Sequence, residues 1–169
     1  EEEESSGPEG DVYDPIEPEE SEPVEQVRIL SRIISPLSGV TLTLTGLEGS
    51  RSISPQPDGS IIIDQVAPGN YVLVASASLY LSSSVSVTVE PDTDTVIGPV
   101  SLPIGDVNGD GLIDAADALM VLGSFGQAVP PAQPEADLVP DGFITIADVT
   151  LLANHYGLSG PLPWTDAAP

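Results

Sequence analysis

The chain contains no cysteine and no lysine. Without cysteine it has no disulfides, no thiol catalysis and no cysteine–zinc site. Its only cations are Arg28, Arg32 and Arg51, set against 27 Asp plus Glu, for a formal net charge of −24. A surface this anionic repels phosphate backbones and anionic lipid, which argues against nucleic-acid and membrane-surface partners. No apolar run approaches the roughly 20 residues of a membrane-spanning helix. His155 is the single histidine, so a multi-histidine metal site is excluded. One Trp, four Tyr and two Phe leave little aromatic surface for a substrate pocket. Neither a Ser-His-Asp arrangement nor a phosphate-binding glycine loop occurs. The natural partners of such a chain are cations or basic surfaces, and catalysis is not expected.

What is present is compatible with a folded core: 40% of residues are hydrophobic and 18% charged. Eighteen Pro and sixteen Gly imply many turns. The start without Met reads as a processed or trimmed chain. The acidic, Cys-free and Lys-free composition suits an extracellular or cell-surface protein. The acids divide the chain, with twelve in residues 1–25, six in 26–100 and nine in 101–169. Residues 1–23 are Glu, Pro, Ser and Gly with few apolar side chains. They are expected to form an acidic tail that cannot order alone.

Residues 24–103 are rich in Val, Ile, Leu, Thr and Ser, with turn signals at Pro57-Asp58-Gly59 and Pro68-Gly69-Asn70. Val40, Leu42 and Leu44 alternate with threonines, and Val85, Val87 and Val89 alternate with polar residues, as half-buried strands do. Val27–Ile34, Ile61–Ile63, Tyr71–Val74 and Val96–Leu102 complete six or seven short strands, the pattern of a β-sandwich. The apolar residues of the first strand lie on both faces. Val27, Ile29 and Ile33 are therefore candidates for strand addition to a second copy, which would build a homopolymer.

Residues 105–157 contain an internal repeat. Asp106 aligns with Asp137, Gly111 with Gly142, Asp117 with Asp148 and Gly126 with Gly157. A calcium loop needs hard oxygen ligands at alternate positions along a curled backbone. In the first copy these are Asp106, Asn108, Asp110, the carbonyl of Leu112, Asp114 and Asp117, with Gly111 at the sharp turn. In the second they are Asp137, Asp141, the carbonyl of Phe143, Thr145 and Asp148, while Val139 removes one side-chain ligand. Two calcium sites are expected, the second with the weaker ligand set. Ile113 is expected to let the two loops pair with each other. Asp114 and Thr145 fit helix N-caps, and Gly126 and Gly157 fit helix stops. Leu119, Val121, Leu122 and Phe125 would form one buried stripe, and Leu151, Leu152, His155 and Tyr156 its counterpart. Trp164 would pack back on this module.

A paired loop–helix repeat closing with Asp resembles the dockerin domain. That resemblance implies an all-α module binding two calcium ions and plugging into a cohesin domain in extracellular assemblies. It places the recognition pairs at Ala115-Ala116 and Ile146-Ala147. The preceding region, through Asp58-Gly59-Ser60, Val66-Ala67-Pro68-Gly69-Asn70-Tyr71 and Leu79-Tyr80, resembles the carboxypeptidase-regulatory-like, transthyretin-like sandwiches, which are scaffolds. The expected organisation is an acidic tail (1–23), an all-β sandwich (24–103) and a small all-α calcium module (104–169). The expected function is that of a secreted, non-catalytic calcium-binding assembly protein whose partner is a cohesin-like domain or its own copies. The alternatives are a dockerin-bearing fragment of a polysaccharide-degrading enzyme and a cell-surface adhesin.

Overall fold

The computed structural model describes residues 27–35 and 39–164, so the acidic tail over 1–23 lies outside the described residues. The strands are β1 (Val27–Ser35), β2 (Thr41–Gly46), β3 (Gly49–Ile53), β4 (Ser60–Val66), β5 (Gly69–Ala77), β6 (Leu79–Val89), β7 (Thr95–Val96), β8 (Val100–Ser101) and β9 (Ile104–Asp106). Two helices follow, α1 (Ala115–Gly123) and α2 (Ile146–Ala153), with a 3-10 turn at Pro134–Ala136 between them and a last strand, β10 (Leu162–Pro163).

One sheet runs β4-β1-β7, with β8 also on β1; the other runs β10-β6-β5-β2-β3, with β9 also on β6. Alternation explains how they face each other. Ile29 and Ile33 of β1 and Ile61 and Ile63 of β4 point inward from the first sheet. Val40, Leu42, Leu44, Leu73, Val87 and Val89 point inward from the second region, and all belong to one buried cluster. The intervening Thr and Ser stay nearer water, as the period of two requires.

Three expectations are corrected here. The first concerns β1. It pairs antiparallel with β4 on one edge and parallel with β7 and β8 on the other. Val27, Ile29 and Ile33 are 5%, 0% and 0% exposed within their own core. Among the described residues the strand is paired on both edges, and the face that carries Val27, Ile29 and Ile33 is spent in its own core, because its own sheet provides the same hydrogen bonds and burial without an association cost.

The second concerns Val96–Leu102, which is not one strand. It divides into β7 and β8 at Gly98-Pro99, where proline cannot donate to a ladder. The carbonyl of Gly98 instead accepts the hydroxyl of Ser31 and the indole of Trp164, both at 2.8 Å.

The third concerns the region after residue 104, which is not purely helical. β9 pairs antiparallel with β6, and β10 pairs parallel with the same strand at Ser83 and Ser84. A second buried cluster gathers Ile104, Val107, Ile113, Val121, Leu138, Ile144 and Leu152 around the helices, and Leu81 of β6 belongs to it. The main chain therefore crosses the expected boundary at 103/104 while hydrogen-bonded to the second sheet. The carbonyl of Pro103 accepts the Leu81 amide at 2.9 Å.

Candidate functional site

Each helix is started by a loop built on one hydrogen-bond plan, which is the repeat seen in three dimensions. Gly111 and Gly142 adopt φ of 84° and 85°, a left-handed turn open to glycine. That turn brings the Gly111 amide to Asp106 Oδ2 at 3.0 Å and the Gly142 amide to Asp137 Oδ2 at 2.9 Å. Asp110 Oδ1 accepts the Leu112 amide, and Asp141 Oδ1 the Phe143 amide, both at 2.9 Å.

The closing acids tie each loop to its helix. Asp117 Oδ1 accepts the amides of Val107 and Asn108, and its Oδ2 that of Asp114. Asp148 does the same toward Val139 and Thr145. Asp114 and Thr145 cap the helices reciprocally in capping boxes with Asp117 and Asp148. Both closing acids are fully buried.

The two loops differ at their first ligand position. Asp106 is 6% exposed, and its Oδ1 is buried without a hydrogen-bond donor. Burial raises the Asp106 pKa, partly offset by the Gly111 amide and reinforced by the negative charge of Asp117. Asn108 and Asp110 bond to each other, with Asn108 Nδ2 donating to Asp110 Oδ2 at 2.8 Å. In the second loop Asp137 accepts donors on both oxygens, and Thr145 spends its hydroxyl on Asp148 and Ala147.

Among the described residues no three carboxylate or imidazole side chains converge closely enough to grip an ion, and Asp117 and Asp148 are turned to main-chain amides. The first loop nonetheless fits a hard cation. A buried carboxylate oxygen lacking any donor is an unmet demand for positive charge, and the neighbouring donors are all oxygen. The second loop shows no comparable unmet oxygen.

The two loops share no main-chain ladder, although Ile113 and Ile144 lie in one buried cluster. Each is braced by the chain that leaves the opposite helix. Ile113 exchanges main-chain bonds with Leu158 and Gly157, and Gly160 donates to the Gly111 carbonyl at 2.9 Å. Ile144 bonds to Gln127 and Gly126, and Val129 donates to the Gly142 carbonyl. Ile113 and Ile144 are fully buried.

The helix faces also differ from expectation. On α1 only Val121 and Asp117 are buried; Leu119 is 70% exposed, Leu122 50%, and Phe125, just beyond the helix, 52%. The expected stripe of Leu119, Val121, Leu122 and Phe125 is therefore mostly outside. Position 117 faces inward, so 121 does too, and 119 and 122 turn outward. Ala115 and Ala116 extend this apolar surface at the first turn.

On α2, Leu152 is buried, Ile146 is 67% exposed, Ala147 and Tyr156 are exposed, and Thr150 and Asn154 add polar character. His155 places Nδ1 2.9 Å from the Ile104 carbonyl, fastening the end of α2 to β9. Trp164 packs on the core between the sheets rather than on the helices.

Residues 104–157 match the dockerin type I domain. The whole fold is similar to a chain of an N-terminal interface mutant of a type II cohesin–X–dockerin complex from Acetivibrio cellulolyticus. The two share 22% identity at a TM-score of 0.64, over 79% of this chain and 97% of that one. A C-terminal interface mutant of the same type of complex from that organism matches at 24% identity and the same TM-score and coverage. A type II cohesin–dockerin domain from Bacteroides cellolosolvens is 40% identical over 34% of this chain and 88% of that one, with a TM-score of 0.31. No curated protein matches the chain.

Proposed function

We propose that the dockerin segment, residues 104–157, is the docking half of an extracellular assembly, and that its partner is a cohesin domain. The observation that carries this is the outward apolar face of α1. A helix apolar on both its faces is completed by burial against something else. Leu119, Met120, Leu122 and Phe125 supply the buried part of the contact, with Ala115 and Ala116 at its start. Ile146 and Ala147 present the corresponding first turn of α2, but Thr150 and Asn154 make that face more polar. The asymmetry favours docking led by α1 in one orientation.

The loops that start the two helices would prepare this face by taking up calcium, which would supply the positive charge their acids lack. Asp106, Asn108, Asp110, the Leu112 carbonyl, Asp114 and Asp117 would hold the first ion. Asp137, Asp141, the Phe143 carbonyl, Thr145 and Asp148 would form the second, weaker set. A bound divalent cation would supply the positive charge that the Asp106 carboxylate lacks. The preceding two sheets form a β-sandwich scaffold, and the chain itself is non-catalytic. A polysaccharide-degrading enzyme bearing this unit would dock in the same way.

Isothermal titration of the protein with type I and with type II cohesin domains, in calcium and in chelator, tests the proposal. Calcium-dependent binding to one type is expected. Absence of binding to both types in calcium would reject the cohesin partner.

A further inference from the structure

The first loop is suspended from the sheets at two points, and both lie on one edge of β6. At its start, Asp106 and Ile104 pair with Leu79 and Tyr80. At its middle, the loop is bridged by the chain that leaves α2: Leu112 lies opposite Ser159, and the Gly160 amide bonds to the Gly111 carbonyl at 2.9 Å. That same chain continues into β10, which pairs with Ser83 and Ser84. It then ends its described course at Trp164, whose amide donates to the Ser84 carbonyl at 2.9 Å and whose Nε1 donates to the Gly98 carbonyl at 2.8 Å. The second loop is braced by Gly126–Val129, which returns to the 3-10 turn and makes no ladder with either sheet.

We infer that residues 157–164 are a strap that positions the first loop and reports its occupancy to the sheets. The strap braces Gly111, Leu112 and Ile113, the stretch whose Leu112 carbonyl serves the ion in the reading above, on which this inference rests. Anything that closes the first loop favours the docked strap. By thermodynamic reciprocity, docking of the strap favours the closed loop by the same factor. Without a cation, the buried unpaired oxygen of Asp106 and the acids beside it push the loop open and loosen the strap. Occupancy of the second loop lacks this route. The strap therefore makes the two sites unequal in what they control, and the sheets and the first site behave as one cooperative body.

Trp164 is the chain's single tryptophan, so its emission reads the far end of the strap alone. Calcium binding measured by calorimetry is compared with Trp164 emission and with hydrogen exchange of residues 158–164 in the same full-length protein. The expected result is a blue-shifted emission and slowed exchange in step with occupancy of the first site. The response is kept in Asp137→Ala and lost in Asp106→Ala. Trp164→Ala should weaken the first site by about tenfold, within the usual range of coupled sites, and Trp164→Phe should restore most of it. If calcium binds but emission and strap exchange are the same as in chelator, the strap inference falls while the calcium reading stands. If calorimetry shows no calcium binding, both fall.

Discussion

Asp106 stands directly opposite Leu79 across the antiparallel ladder joining β9 to β6. The first ligand position of the first loop is thus also a residue of the second sheet. Its carboxylate is held at a depth that a solvent loop would not impose, with Oδ1 buried and unpaired.

Asp106→Asn should consequently change sign with calcium. Burial raises the folded-state pKa of Asp106, so its protonation adds stability that is present at low pH and lost as pH rises through that value. Removing the charge should stabilise the metal-free protein at neutral pH, on the order of 1–3 kcal/mol for a buried unsatisfied group. In calcium at about a thousand times the dissociation constant, the wild type gains about 4 kcal/mol per site, and the variant should melt lower. Calorimetric melts in chelator and in calcium check this; a shift of the same sign in both would contradict it.

Asp106→Ala should cost far more calcium affinity than Asp137→Ala. Asp137 already has donors on both oxygens, and Val139 offers no side-chain ligand beside it. Calorimetric titration of the two variants should show a loss of at least about tenfold more for the first, or roughly 1.4 kcal/mol. Equal losses would show that the second loop gathers a further ligand.

Leu119→Ser with Leu122→Ser should leave folding nearly unchanged and damage docking. Both side chains are at least half exposed, and surface changes of this kind usually stay within about 0.5 kcal/mol of stability. Loss of two central apolar contacts should weaken cohesin binding by about 2 kcal/mol or more. Unchanged affinity in a calcium titration with the cohesin would remove α1 from the interface.

Arg28 and Asp94 give the sheets a pH-dependent tie between β1 and the chain before β7. The guanidinium and main-chain amide of Arg28 both bond to Asp94, at 3.1 Å from Nε and 3.0 Å from N. The side-chain bond, followed by the amide, holds the Asp94 pKa below the ordinary carboxylate value. A depressed folded-state pKa contributes stability above the unfolded value, near pH 4, that is lost as pH falls through the folded value. Asp94→Asn should flatten the melting-temperature curve below about pH 4 and leave the shape at neutral pH alone. An unaltered acid limb would show that other carboxylates govern it.

Gly46→Ala tests the packing at the β2–β3 turn. A Cβ there would stand 2.5 Å from the Tyr71 ring, whose hydroxyl is tied to the Ala67 carbonyl. Overpacking of this kind costs about 1–3 kcal/mol, so a lowered melting temperature is expected in calcium and chelator alike. A melting temperature equal to that of the wild type would show that Tyr71 moves freely.

Much of the sheet region was legible because burial there follows a period of two. Val40, Leu42 and Leu44, or Ile61 and Ile63, declare an inward face without any knowledge of their partners. β3 was not legible: Gly49–Ile53 is exposed almost throughout, so it carries no apolar rhythm. β9 and β10 are too short to show a period, and they are strands because the β6 edge offers them partners. The loops were legible in the spacing of Asp106, Asp117, Asp137 and Asp148. Their bracing was not, since main-chain pairing between Gly111–Ile113 and Leu158–Gly160 leaves no side-chain signature.

The sequence by itself determined where the acids, turns and helix caps fall, because ligand spacing and capping are local properties of a few consecutive residues. On α1, only the tertiary structure decided which apolar residues face water. Leu119, Leu122 and Phe125 look like core residues in isolation, but the buried Asp117 and Val121 set the rotation of α1 and turn them outward. It alone also decided that β1 completes its own sheet and that Trp164 reaches the core between the sheets. Both depend on segments far apart in the chain, whose competition for the same edge or cavity is settled by packing and not by composition.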